Sequence, residues 1–209
     1  MLLKAENIVF SYSDGRKVLN GVDFSVSSNE IVGIVAPSGF GKSTLAKVLA
    51  GYSIPQQGTV TIDEKPISQF TYSPVQLIFQ HPEKAINPKW KMGKIINEAW
   101  KPPREMIDEM GIKDGWMNRW PSELSGGELQ RFCVIRALSP RTKFLIADEM
   151  TTMLDVITQA QIWNVVVEHA SKNNMGIVVI SHEKELVEKL CSRIIFLDNS
   201  ESKAMARLA

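Results

Sequence analysis

The chain reads as an α/β domain with a largely parallel sheet, and three observations predict that class. Apolar strand-like runs alternate with helix-forming stretches along most of its length, the order a parallel sheet requires. One run, Ile31-Val32-Gly33-Ile34-Val35, leads into the turn Ala36-Pro37-Ser38-Gly39-Phe40-Gly41-Lys42-Ser43-Thr44 and then into the helix-forming Leu45–Ala50. Strand, glycine-rich turn and helix start in that order make a phosphate-binding loop. Last, Gln80, Asp148, Glu149 and His182 each stand within two residues of the end of an apolar run. In parallel sheets ligands gather at the carboxyl ends of strands.

Taken in order, residues 2–10 alternate as a strand, Asp14-Gly15 marks a turn, and Val18–Val26 forms the second arm of a hairpin-like pair. Tyr12 sits at the end of the first arm, where an exposed aromatic either stacks on a nucleotide base or simply packs. After the loop's helix, Gly51 is a candidate C-cap, and Pro55-Gln56-Gln57-Gly58 returns the chain into strand Thr59–Ile62. Val75–Phe79 is a further strand. Between His81 and Leu124 lie four of the chain's five Trp residues and five prolines, Pro82, Pro88, Pro102, Pro103 and Pro121. This stretch, about 81–124, reads as a small inserted helical subdomain whose Trp side chains form its own core. Gly126–Leu138 is a helix, and Phe144–Ala147 is a short, continuously apolar strand of the kind buried on both faces. Helix Val156–Lys172, strand Ile177–Ile180, helix Lys184–Leu190 and strand Arg193–Leu197 close the pattern.

Composition limits the function classes. With 209 residues and 44% hydrophobic content the chain is long enough for one well-cored domain. The 24 basic and 23 acidic residues nearly balance, so charge gives no reason to expect a nucleic-acid partner. Cys133 and Cys191 form no C-x-x-C pair, as expected of buried thiols in a reducing compartment. No apolar run approaches the roughly 20 residues that span a bilayer, and the early charge in Met1–Glu6 does not suit a secretory signal.

The residue types at the strand ends suit phosphoryl transfer, which needs phosphate positioning, a metal and a group to orient or deprotonate water. In the loop, backbone N–H groups and the helix N-terminus converge on an anion, Lys42 adds a point charge for the β- and γ-phosphates, and the Ser43 hydroxyl suits Mg²⁺. Asp148 fits the metal-holding acid and Glu149 the general base. Gln80 offers an amide to Mg²⁺ or water, and His182 a donor to the γ-phosphate. Leu124-Ser125-Gly126-Gly127-Glu128-Leu129-Gln130-Arg131 is a second small-residue turn opening a helix. By composition it is either a second anion site or a Ser N-cap followed by a Gly pair.

Together these motifs resemble the nucleotide-binding subunits of ABC transporters. Ala36–Thr44 is similar to the Walker A loop, Gln80 to the Q-loop and Leu124–Gln130 to the family signature. Phe144–Glu149 is similar to Walker B, Met153-Leu154-Asp155 to the D-loop, His182 to the switch histidine and Tyr12 to the adenine-stacking aromatic. The motifs stand in the family's order over nearly the whole chain. Two residues depart from the pattern: Ala36 replaces the Gly that usually opens Walker A, and Met150 replaces the Pro after Walker B. A narrower likeness, in Phe79-Gln80-His81-Pro82, Ile86-Asn87-Pro88 and Trp120-Pro121-Ser122-Glu123, is to the ATPases of bacterial oligopeptide, dipeptide and nickel importers.

The resemblance implies a P-loop NTPase (RecA-like) core, residues 1–80 and 125–209, with an antiparallel β subdomain and the helical insert. It implies ATP and Mg²⁺ as ligands. Tyr12, Ser38, Gly39, Phe40, Gly41, Lys42, Ser43 and Thr44 would contact nucleotide from one chain. Ser125, Gly126 and Gly127 of a second ATPase subunit, identical or different, would close the site head to tail, and Asp155 is a further implied nucleotide-binding residue. Ser43, Gln80 and Asp148 are the implied metal residues, and Glu149, His182 and Gln80 the implied catalytic ones. Integral membrane permease subunits, and indirectly a solute-binding protein, are the implied partners at the cytoplasmic face of the membrane. The competing expectation is a soluble ABC ATPase of translation or DNA repair. The former usually carries two cassettes and the latter a long coiled coil, and this chain shows neither repeat nor heptads.

Overall fold

The computed structural model describes residues 1–37, 39–67 and 72–197 and the strand at 205–208. Its strands form two sheets. The first pairs β1 (Leu2–Ser11), β2 (Lys17–Ser27), β4 (Gln57–Ile62) and β5 (Lys65–Pro66) in the antiparallel order β2-β1-β4-β5. Its long strands bury alternate residues (Leu3, Ala5, then Leu19, Val22, Phe24, Val26), as expected of a sheet covered on one face.

The second sheet contains β3 (Ile31–Val35), β6 (Val75–Ile78), β7 (Phe144–Asp148), β8 (Gly176–Ile180), β9 (Arg193–Phe196) and β10 (Met205–Leu208), in the order β10-β9-β3-β8-β7-β6. Every pairing in it is parallel except β10 on β9. The antiparallel edge strand β10 lacks a counterpart in the periodicity, which places the last strand at 193–197. All five residues of β7 and of β8 are buried, which explains their unbroken apolar runs.

Alternation along these central strands separates two cores. Ile34, Phe144, Ile146, Val178 and Ile180 pack with the antiparallel sheet and with α1 (Lys42–Leu49). Leu145, Ala147, Ile177 and Val179 pack on the other side with α4 (Gly126–Ala137) and α5 (Val156–Asn173). On this second side α6 (Lys184–Leu190) lies so close to β3 that a Cβ at Gly33 would stand 2.4 Å from Val187 Cγ1. Only glycine permits that approach, and it holds the β8–α6 turn beside the end of β3.

Residues 81–124 contain α2 (Met92–Ile96), α3 (Arg104–Glu109) and three single 3₁₀ turns. The expectation that their Trp side chains form a separate core is corrected. Trp116 is buried, Trp90 and Trp100 are half-buried, and Trp120 is 43% exposed. Met92, Ile95, Ile96, Met110 and Ile112 join the same cluster as Phe132 and Ile135 of α4. Trp100 Nε1 donates to the Ile135 carbonyl at 3.1 Å. The segment has too few apolar residues between prolines to close a core alone, so it leans on α4.

Two boundaries also shift. β6 ends at Ile78 rather than Phe79. Helix α1 caps at Ala50, and Gly51 is the left-handed residue after it, at φ +77°.

Candidate nucleotide site

The sheet order makes the site. Strands β3, β8, β7 and β6 are neighbours, so the turns that follow them share one rim, and these carry Lys42, His182, Asp148 with Glu149, and Gln80. A cleft of about 530 Å³ opens there, lined by Tyr12, Gly39 through Thr44, Gln80 and Glu149. Arg16, Lys17 and Val18 line it too. They are missing from the sequence reading, although the basic pair after the Asp14-Gly15 turn was a usable signal.

In the phosphate loop, Gly39 and Gly41 have φ of +86° and +83°, conformations that glycine adopts without strain. Gly41 is the N-cap of α1, and no side chain caps that helix, so its first-turn donors are left for a ligand. Lys42 is buried, with Nζ donating to the Ala36 and Pro37 carbonyls at 2.6 and 3.0 Å. Ala36 is not among the positive-φ residues, so its methyl group is compatible with the loop and the departure needs no compensation. Ser38 lies outside the described residues.

Tyr12 follows β1 and is 39% exposed. Its hydroxyl is hydrogen-bonded to Thr44 Oγ1 at 3.0 Å, its ring stands edge-on to Phe10, and Arg16 lies 5.8 Å from its centroid. The strand end is thereby tied to the phosphate loop with part of the aromatic surface open.

Asp148 is buried and its Oδ1 has no partner among the described residues. Burial pushes its carboxyl above the ordinary range, with Glu149 adding to the shift, while a Ser43 hydrogen bond and the charges of Lys47 and Lys42 oppose it. An orphaned buried carboxylate oxygen beside a serine hydroxyl is a hard-oxygen donor set of the kind Mg²⁺ accepts. Those residues therefore fit the ion.

Glu149 has φ +49°, a left-handed conformation costing a non-glycine residue on the order of 1–3 kcal/mol. Its N–H donates to the Ile180 carbonyl at 2.9 Å, and Thr152 Oγ1 donates to its carbonyl at 3.1 Å. The strained backbone turns its carboxylate across the rim. One oxygen accepts Gln80 Nε2 at 2.8 Å, and the other lies 3.5 Å from Nδ1 of the exposed His182. Three residues predicted from three strand ends thus meet at one carboxylate.

The remaining predicted residues lie elsewhere. Ser125 is the N-cap of α4. Its Oγ accepts the Glu128 N–H at 3.3 Å, and Glu128 Oε2 accepts the Ser125 N–H at 2.7 Å, a reciprocal capping box. Gly126 is exposed, and a Cβ on Gly127 would come within 2.9 Å of Leu154 Cδ2. Asp155 caps α5 by accepting from Ile157 and Thr158 N–H groups at 3.1 and 3.0 Å, and the Thr158 bond foremost holds its carboxyl below the ordinary range. None of Ser125, Gly126, Gly127 and Asp155 lines the cleft with Lys42. Gln130, the last residue of the Leu124–Gln130 stretch, is buried and donates to the Phe79 carbonyl next to Gln80 at 3.4 Å, a contact that no local spacing predicts. Both cysteines are buried, with thiols pushed up by burial to about 11 for Cys133 and about 12 for Cys191. Among the described residues no helix is long and apolar enough to cross a membrane.

Known proteins resemble this chain over most of its length. The sequence profile of the ABC transporter family matches residues 19–152. The chain is 31% identical to the nickel import ATP-binding protein NikE of Rhodospirillum rubrum, over 90% of this chain and 75% of that protein. It is also 31% identical to the nickel import system ATP-binding protein NikE of Staphylococcus aureus, over 94% of this chain and 86% of that one. Among solved structures, an ATP-binding cassette captured as a dimer in a post-hydrolysis state with ADP and Pi superposes with TM-score 0.83 at 22% identity, covering 99% of this chain and 98% of that one. CbiO1 from Clostridium perfringens, part of the ABC transporter complex cbiONQ, superposes with TM-score 0.76 at 24% identity, covering 97% and 86%. These structural likenesses concern the fold. With the profile covering more than half of the chain, and with the phosphate loop, Asp148, Glu149 and Gln80 on one rim, the chain belongs to the ABC transporter family, as an ATP-hydrolysing nucleotide-binding subunit.

Proposed function

We propose that this chain powers uptake of a small solute, namely nickel, a metal chelate or a peptide, through partner membrane permease subunits. The nickel-import relatives support the importer direction. The observation that carries the reading is the split of the site: Lys42, Glu149, Gln80 and His182 share one rim, while Ser125–Gly127 present an exposed helix start outside that cleft. Such a chain binds nucleotide alone and completes its cage against the Ser125 turn of a second ATPase subunit, identical or different.

In this reading Lys42 and the first turn of α1 hold the phosphates and Tyr12 meets the base. Ser43, Asp148 and Gln80 would hold Mg²⁺, which supplies positive charge against the phosphate oxygens. Glu149 takes the proton of the attacking water, and His182 donates toward the γ-phosphate. Loss of that phosphate removes the link between subunits, a ligand-driven population shift. The 81–124 subdomain, leaning on α4 rather than on its own core, receives the permease and carries the motion. A solute-binding protein delivers the cargo, and the subunit sits on the cytoplasmic side of the membrane.

Two measurements test this. Glu149→Gln lowers ATP turnover by about 10²–10⁴ while ATP affinity is kept and a dimer accumulates; unchanged turnover removes Glu149 from the role of base. Deleting the gene abolishes ATP-dependent uptake of nickel or of short peptides by its host. Normal uptake of both would overturn the importer reading.

A further inference from the structure

The turn after β7 and the turn after β8 are joined by a side chain to which the chemistry above gives no part. Gln159 lies in the second turn of α5, and its Nε2 donates to Thr151 Oγ1 and to Glu183 Oε2, both at 3.0 Å. An amide NH₂ carries two hydrogens, so both bonds form at once. Thr151 is buried, stands two residues after Glu149, and also accepts Trp163 Nε1 at 3.1 Å. Glu183 directly follows His182, and its N–H donates to Ser181 Oγ at 3.1 Å. One side of Gln159 therefore grips the turn that carries Glu149, and the other grips the turn that carries His182.

We propose that Gln159 is a positioning residue for ATP hydrolysis, a brace that sets the gap between Glu149 and His182. Two features make such a brace necessary. Glu149 holds a left-handed backbone at φ +49°, which persists only where its surroundings over-determine it. His182 is 64% exposed in its side chain and touches Glu149 only at 3.5 Å, so packing does not fix its position. Trp163 anchors Thr151 to α5 from the buried side, and Gln159 extends that anchor to the second turn. Because Asp155 caps the same helix, displacement of the α5 start reaches both turns together. A misplacement of about 1 Å at reacting groups costs on the order of 10² in rate, so a bond worth little to folding can be worth much to turnover.

The inference rests on Glu149 and His182 acting in hydrolysis, so Glu149→Gln is measured in parallel. The test is ATPase kinetics of the chain assembled with its transporter partners. Gln159→Glu keeps the shape but removes the donors and sets a carboxylate against Glu183. It is expected to lower kcat by roughly tenfold with KM for ATP within about twofold. Combining it with Glu183→Gln exchanges donor and acceptor across the bond, and recovers at least half of the lost kcat. A purely structural role would not give this split between kcat and KM, nor the rescue. A kcat for Gln159→Glu within twofold of the parent, a rise in KM that matches the loss in kcat, or no recovery in the exchanged pair overturns the brace. Full turnover in Glu149→Gln would overturn the underlying reading instead. An inactive Glu149→Gln beside a fully active Gln159→Glu sinks the brace alone.

Discussion

Helices α1 and α4 both start on small-residue turns, Gly39–Gly41 and Ser125–Gly127, and the two starts have opposite electrostatics. The α1 start has no side-chain cap and no acidic residue in its first turn, and its first residue is Lys42. The α4 start is closed by a capping box in which Glu128 sits in the first turn and holds the Ser125 N–H. At α1 no side chain takes up the helix donors and Lys42 adds positive charge, an arrangement that suits an anion. At α4 the local bonds stabilise the helix itself, and the carboxylate of Glu128 stands against an approaching anion. The difference teaches that a glycine-rich helix start is a phosphate site only when its own side chains leave the donors unused. On the proposed function, one turn binds first and the other closes over it.

The largest expected break in that contrast is Lys42→Ala. It removes the cation from the open start, and nucleotide affinity in an equilibrium titration is expected to fall by about two orders of magnitude. Unchanged affinity would make the two turns equivalent. Asp148→Asn separates function from stability at the same rim. Because the folded pKa of Asp148 is raised, the native state holds the proton more tightly than the unfolded chain does. The cost of its charge is therefore complete above the folded pKa, and vanishes below the ordinary value of 3.8. Mg²⁺-dependent turnover is lost in this variant, while its Tm without nucleotide rises at pH 7 and matches the parent's near pH 3. A lower Tm at neutral pH would contradict the burial argument.

Ser125→Ala sharpens the contrast from the other side. The closed start loses its cap at a cost of about 1 kcal/mol, seen as a lower Tm, while ATP affinity of the isolated chain stays unchanged. Weaker binding by the isolated chain would place Ser125 in its own cleft. The smallest effect is expected of Ala36→Gly, with affinity within about twofold, since position 36 needs no left-handed backbone. A large gain would show that the methyl group obstructs the loop.

Much of this site was legible from short-range pattern. The strand before the loop and the helix after it, the unbroken apolar runs of β7 and β8, and the polar residues just beyond them all depend on neighbours a few positions apart. Those features sufficed to name Lys42, Gln80, Asp148, Glu149 and His182. Periodicity did not reveal the antiparallel edge strand β10, because Met205-Ala206-Arg207-Leu208 has neither a β-branched residue nor a strict apolar–polar alternation. Nor could it show that the Trp-rich segment borrows the core of α4, since burial depends on what a face meets.

Sequence by itself thus determined the fold class, the phosphate loop and the residues at the strand ends, because each is a local consequence of residue type and spacing. Only the tertiary structure decided which turns meet. The strand order β3-β8-β7-β6 gathers Lys42, His182, Glu149 and Gln80 onto one rim and leaves Ser125 and Asp155 outside it. It also lets Gln159 span Thr151 and Glu183. Contacts between turns far apart in the chain are set by packing and strand order, and no local spacing encodes them.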